Sequence, residues 1–209
     1  MYRGEKFNSI SHIVGAVLAF MALGALLNAS WQMAVPSLII GYSIFGVSLT
    51  LLYTMSALYH SLPPSPLKIR FKLFDHICIY ILIAGTYTPF LLSTLQSPNS
   101  KLMLFIVWWL AILGITSEIF LSGKVVKAMQ IILYLAMGWT CSIDLDIFKQ
   151  ALSDSGFQWL LAGGLAYTGG IIFYLLDKLK VLTHAHGIWH LFVMIGSATH
   201  FIAVIGYVN

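Results

Sequence analysis

Two histidines four residues apart, His186 and His190, form a candidate metal-binding pair in this sequence of 209 residues. On a helix, side chains at that spacing project from one face about 5–6 Å apart, so both imidazoles can bind one metal ion. Ser56 and His60 have the same spacing and place a hydroxyl one turn from a third imidazole. Three histidines with an open fourth position are typical of a catalytic zinc site.

One carboxylate, Asp75, is expected to act beside these histidines. It could hold or deprotonate a metal-bound water, or it could orient a ligating imidazole from behind. A plainer interpretation stays open, because a single pair of histidines at this spacing is more often a polar packing feature of a helix. The residues that could bind the metal are therefore His60, His186 and His190, and the candidate catalytic residues are Asp75 and Ser56.

The composition indicates that membrane-spanning elements position these residues. Hydrophobic residues make up 59% of the chain and charged residues 9%, and the mean hydropathy is +0.90. A soluble domain has roughly 25% charged and 45–50% apolar residues. The chain is therefore neither a soluble enzyme nor a disordered tail nor a disulfide-rich secreted module. Its eleven scattered basic residues also argue against nucleic acid as a partner.

Seven apolar stretches are long enough to cross a bilayer as helices, since a crossing takes about 20 apolar residues. Hydrocarbon offers the backbone no outside hydrogen-bond partner, which favours helices over open strands. The sequence thus predicts one all-α integral membrane domain over residues 1–209, a seven-transmembrane helix bundle whose fifth span is the shortest. The predicted spans are 9–29, 36–62, 75–95, 102–121, 125–141, 157–176 and 186–208.

Basic residues in the connections predict the orientation of the bundle. Two of the eleven, Lys101 and Lys149, lie on one side, and the other nine lie on the side of the N-terminus: Arg3, Lys6, Lys68, Arg70, Lys72, Lys124, Lys127, Lys178 and Lys180. Connections rich in Lys and Arg stay in the cytoplasm, which predicts a cytoplasmic N-terminus and a C-terminus outside. This topology collects six ionisable residues at the cytoplasmic end: His12, His60, Asp75, Glu118, His186 and His190.

Three motifs occur in order along the chain: Glu5-x2-Asn8-x3-His12, then Ser56-x3-His60 followed by Asp75, then His186-x3-His190. Together they resemble the progestin and adipoQ receptor family, and within it the bacterial hemolysin III branch. The resemblance covers nearly the whole chain and implies a zinc ion held by the three histidines His60, His186 and His190. It also implies that Asp75 lies near the zinc-bound water and that Ser56 lies beside the site.

The same resemblance places the chain near a wider group of membrane hydrolases, alkaline ceramidases among them, that share a Ser, Asp and three-His arrangement. The chain departs from many relatives at Gly187, where they have an acidic residue. Because this position points off the ligand face of the helix, we expect the change to alter the surroundings more than the metal. Glu5, Asn8 and His12 are expected to tie the first helix to the site by hydrogen bonds.

The leading hypothesis is a zinc-dependent enzyme that hydrolyses an amide or ester of a membrane lipid in the bacterial cytoplasmic membrane. Asp75 would be the general base and Ser56 would help to stabilise the oxyanion. Its effect would be to adjust the lipid composition of the membrane. Two alternatives stay open, a receptor or sensor with a structural zinc and a pore-forming cytolysin. The sequence indicates neither the substrate nor the oligomeric state.

Overall fold

The structure is a computed structural model that describes residues 2–95 and 97–208, apart from the side chains of Arg3, Lys124 and Val125. Arg3 and Lys124 contributed to the predicted orientation, but their side chains lie outside the described part of the structure. Within the described residues the chain forms helices and turns and contains no strand. The predicted all-α fold is therefore confirmed.

Seven helical segments of the described chain are long and apolar enough to cross a membrane, so the protein is a multi-pass integral membrane protein. The first four are α1 (Lys6–Met33), α2 (Pro36–Ser61), α3 (Pro66–Pro89) and α4 (Pro98–Phe120). The fifth crossing combines α5 (Gly123–Gly138), a 3-10 helix (Thr140–Asp144) and α6 (Leu145–Ala151). The last two are α7 (Asp154–Lys178) and α8 (Ala185–Tyr207).

The third helix begins at Pro66, whereas the sequence analysis predicted that it begins at Asp75, nine residues later. Pro66 suits the first turn because the missing N–H has no helical partner there. The Ser65 hydroxyl caps this turn by accepting a hydrogen bond from the backbone N–H of Lys68 at 3.2 Å. Asp75 consequently lies roughly 13–14 Å along the helix axis from its start and is buried.

The fifth crossing is broken rather than continuous, and a side chain from α3 closes the break. The Tyr87 hydroxyl donates to the carbonyl of Gly138 at 2.6 Å and accepts from the backbone N–H of Cys141 at 3.2 Å. Backbone groups that leave a helix inside a membrane need partners of this kind. The predicted span 125–141 therefore stops short, because the crossing continues through α6 to Ala151.

The bundle is held by close pairs of neighbouring helices, α1 with α2, α2 with α3, and α7 with α8. Glycine allows a close approach between α2 and α3, where a Cβ added at Gly41 would lie 2.7 Å from the Cα of Pro89. By contrast, α5 makes few contacts with α7, and a cavity lies between them. Cys78 and Cys141 are both free thiols.

Candidate metal centre

Three imidazoles meet at one end of the bundle. His60 lies in the last turn of α2, and His186 and His190 lie in the first two turns of α8. One ligand atom from each ring lies within 4.8 Å of the other two. The ring centroids of His186 and His190 are 4.7 Å apart, and that of His60 is 4.8 Å from His190. The three predicted ligands are thus close enough together to bind a metal ion.

Two of these rings donate hydrogen bonds to carboxylates. The Nδ1 of His60 donates to Oε2 of Glu5, and the Nδ1 of His186 donates to Oδ2 of Asp177 at 3.2 Å. A histidine that donates from Nδ1 keeps the lone pair of its Nε2 for a metal. The Nε2 of His60 is buried and has no hydrogen-bond partner among the described residues. The sequence analysis did not identify Asp177 as a partner of His186.

Glu5 is itself fixed by a cation. Its Oε1 accepts from the Nζ of Lys68 at 3.0 Å, and the same ammonium donates to the carbonyl of Leu62 at 2.9 Å. Burial raises the pKa of Glu5, but the hydrogen bonds with His60 and Lys68 outweigh it and hold this pKa at about 2. Glu5 is therefore a carboxylate at neutral pH. The expected hydrogen bond between the start of the chain and the site is present at this residue.

His12 packs against the cluster without completing it. Its ring stacks on that of His190 with centroids 3.7 Å apart, and it lies 6.3 Å from His60. The group of three mutually close ligand atoms does not include His12. Both of its nitrogens are buried without a hydrogen-bond partner in the described part of the chain. The sequence motif placed His12 near the site, but its spacing could not indicate a stacking contact with α8.

Asp75 and Ser56 lie beside the histidines and are almost fully buried. Asp75 lies near both the Ser56 hydroxyl and the His60 ring. The structure thus brings together the predicted ligands and the two candidate catalytic residues, although they come from three different helices.

Two cavities meet at Asp75. The first, called the apolar cavity, has a volume of about 180 Å³ and extends from His12 and Asp75 to Trp139 and Leu145. Its lining consists mainly of aliphatic and aromatic side chains of α3, α5, α7 and α8. The second, called the polar cavity, has a volume of about 60 Å³ and is lined by both polar and apolar side chains, including Lys72, Asp75, His76, Lys178 and His186.

Glu118, near the end of α4, is a buried carboxylate with a histidine partner. Its side chain is only 6% exposed and its Oε2 lies 3.2 Å from the Nδ1 of His76. The amide nitrogen of Gln130 approaches the same ring nitrogen at 2.8 Å. His76 therefore joins α3 to α4 and α5. Because α3 begins at Pro66, His76 lies within the helix.

Close packing explains why position 187 is a glycine in this chain. A Cβ added there would collide with the ring of Phe7 and would lie 3.0 Å from Oδ1 of Asn8. The start of α1 therefore packs directly against the first turn of α8. A larger side chain at this position would require the Phe7 ring or the start of α1 to shift.

Together, the fold and the cluster define a membrane protein with seven crossing segments in its described residues and a three-histidine candidate metal centre at one end of the bundle. The sequence pattern of the family described as "Haemolysin-III related" matches residues 2–201, and the chain belongs to this family. The resemblance inferred from the three motifs is thereby confirmed.

Curated relatives cover nearly the whole chain. Hemolysin-3 of Bacillus cereus is 42% identical over 204 residues, which are 98% of this chain and 91% of the relative. The Hemolysin-3 homolog of Bacillus subtilis (strain 168) is 40% identical over 203 residues, or 97% of this chain and 93% of the relative. The monocyte to macrophage differentiation factor of Homo sapiens is 29% identical over 200 residues, with coverages of 93% and 79%.

Proposed function

We propose that this protein is a zinc-dependent hydrolase that cleaves an amide or ester bond of a membrane lipid. One observation carries the proposal: Asp75 lies beside the three-histidine cluster at the point where an apolar cavity reaches it. A cavity lined mainly by apolar side chains suits an acyl chain, and a buried carboxylate at its polar end suits the reacting carbonyl group.

The donor set supports zinc as the metal. Three imidazoles with a free fourth position form a common catalytic zinc site, and carboxylates behind the rings are typical of such sites. The buried Nε2 of His60 also needs a partner, which a metal would supply. When bound, zinc lowers the pKa of a water ligand towards 7 and polarises a carbonyl group.

The residues around the metal would supply the acid–base chemistry, stabilise the oxyanion and orient the ligands. Asp75 would take the proton from the attacking water and return it to the leaving amine or alcohol. Ser56 would donate its hydroxyl proton in a hydrogen bond to the oxyanion that forms on the substrate carbonyl. Glu5 and Asp177 would keep two of the imidazoles oriented, and the apolar cavity would exclude bulk water from the bond being cleaved.

The proposed setting is the cytoplasmic membrane of a bacterium. The relatives in two Bacillus species support a bacterial membrane. The distribution of Lys and Arg supports a site that faces the cytoplasm. The substrate would then be a membrane lipid, and the result of turnover would be a change in lipid composition.

The proposal is tested with purified, zinc-loaded protein, a broad lipid panel and a measurement of released fatty acid. We expect Asp75→Asn to keep its zinc and to lose about 10²- to 10⁴-fold in turnover, the usual contribution of a general base. His190→Ala should lose both zinc and turnover. If the zinc-loaded wild type releases no fatty acid while a ceramidase control does, the proposed hydrolase is wrong.

A receptor or sensor with structural zinc is the second candidate. It is favoured by the way the histidine cluster joins α2 to α8, with Glu5 at the start of α1 hydrogen-bonded to it. In that case a chelator would lower the unfolding temperature, because a ligand that binds only the folded state stabilises it. Asp75→Asn would then change no lipid turnover in the same assay.

A further inference from the structure

The polar cavity lies next to the candidate metal centre and is distinct from the apolar cavity. Its walls come from five helices, and its lining includes Asp75 and His186 of the site. It is also lined by Lys72 of α3 and Lys178 of α7, both of which are exposed. The two exposed lysines therefore mark its mouth, and Asp75 connects it with the apolar cavity.

Carboxylates compensate the positive charges at this mouth only in part, because three lysines face two carboxylates, Asp75 near Lys72 and Asp177 near Lys178. Lys178 lies close enough to Lys72 and to Lys127 of α5 to be repelled by both. In the described part of the chain, Lys72 and Lys127 have no ion-pair partner. Asp177 lies 3.9 Å from the ammonium of Lys178, but it also accepts the hydrogen bond from His186. Three ammonium groups from three helices thus create a local positive potential that attracts an anion.

Aromatic side chains complete the surroundings of these lysines. The Nζ of Lys178 lies 4.7 Å from the centroid of the Tyr174 ring, which also lines the polar cavity. Tyr59 and Trp189 contribute to the same lining. Amphipathic aromatic residues combined with lysines are typical of the depth at which lipid headgroups lie. The mouth is therefore built for a group that is both anionic and attached to a lipid.

We infer that the mouth of the polar cavity binds the phosphate group of an anionic phospholipid, with Lys72 and Lys178 as its ligands. Lys127 adds positive charge without lining the cavity. With the phosphate on the lysines and an acyl chain in the apolar cavity, the carbonyl between them would reach Asp75. The consequence for substrate choice rests on the proposed function, whereas the binding of the phosphate does not require turnover.

The test uses zinc-loaded, full-length protein in a neutral detergent and two soluble probes, dioctanoyl phosphatidylglycerol and dioctanoylglycerol, which lacks the phosphate. We expect the double substitution Lys72→Gln/Lys178→Gln to weaken binding of the phospholipid about 10- to 30-fold, from the usual contribution of a lysine near an anionic lipid. Binding of dioctanoylglycerol should not change. The phospholipid affinity of the wild type should also fall as salt is raised.

Two matched variants separate the site from net charge and from folding. Lys101→Gln/Lys149→Gln removes the same charge at the other end of the bundle and should keep the affinity of the wild type. Lys72→Arg/Lys178→Arg keeps both positive charges and should retain most of the binding. If Lys72→Gln/Lys178→Gln binds the phospholipid as tightly as wild type, the inference is overturned.

Inorganic phosphate distinguishes a lipid headgroup from a free anion. If phosphate alone competes with the phospholipid only at much higher concentration, the lipid assignment holds. If phosphate binds as tightly as the phospholipid and depends on the same lysines, the site takes a free anion and the lipid assignment fails. Failure of the proposed function looks different, because binding would depend on Lys72 and Lys178 while no fatty acid is released.

Discussion

At the scale of single residues, the contact between Glu5 and His60 connects the start of the chain to the candidate metal centre. The carboxylate binds the Nδ1 of His60 on one side and the ammonium of Lys68 on the other. It therefore sets which nitrogen of His60 carries the proton and how the ring is turned. We assign Glu5 as a positioning residue, because it acts on the metal through His60.

Glu5→Gln tests this assignment. The amide keeps the shape of the side chain but loses the negative charge that favours a proton on Nδ1. We expect metal affinity to fall about 10- to 100-fold, the usual effect of removing such a partner. Competition with a chromogenic chelator measures the change directly.

Glu118→Gln is the matched control, because Glu118 bonds His76 and not one of the three clustered histidines. It should bind the metal like the wild type. Equal affinity in the wild type and both variants would show that Glu5 does not act on the metal through His60.

At the scale of helices, hydropathy predicted most of the fold but not where charged helix ends lie. Residues 66–74 contain Lys68, Arg70 and Lys72, so they resembled a loop, whereas the structure continues α3 through them. A helix can extend beyond the hydrocarbon, where its charged side chains meet water. The break after α5 was equally hidden, because its hydrogen bonds come from Tyr87 on a different helix.

The candidate site was likewise predicted from the sequence only in part. The spacing of His186 and His190 on one helix was enough to predict that they share a face. The sequence motif suggested a link between the start of the chain and the site, but not that Glu5 would bond His60 or that His12 would stack on His190. Such contacts depend on how helices pack, which local sequence does not encode.

Gly41→Ala tests the close approach of α2, which carries His60, and α3, which carries Asp75. The added Cβ would lie 2.7 Å from the backbone of Pro89, which cannot rotate away as a side chain could. We expect a loss of about 1–3 kcal/mol of stability, the usual cost of overpacking. Thermal unfolding in detergent measures it as a lower midpoint.

Gly24→Ala provides the comparison, because nothing lies within 4 Å of a Cβ added there. Both glycines are inside helices, so any gain in helix propensity applies equally to both. Equal unfolding midpoints for the two variants would mean that α2 and α3 are not packed as the structure shows.

At the scale of the whole molecule, one end of the bundle combines the three-histidine cluster, the polar cavity and most of the positive charge. The apolar cavity extends from this end towards the other, where Trp139 and Leu145 lie. An amphiphile with its acyl chain in the apolar cavity would therefore place its polar part at the histidine end. Which leaflet supplies such a lipid depends on the orientation of the bundle.

The predicted orientation places the histidine end in the cytoplasm, because nine of eleven basic residues lie on that side. Lys180→Cys and Lys101→Cys test it in a background with Cys78→Ala and Cys141→Ala, since both lysines are exposed and lie at opposite ends. On intact cells, an impermeant maleimide should label the cysteine at position 101 and should reach the one at position 180 only after permeabilisation. Labelling at position 180 in intact cells would instead mean that the histidines face the outside of the cell. The metal would then have to come from outside the cell, and any bound phospholipid from the outer leaflet.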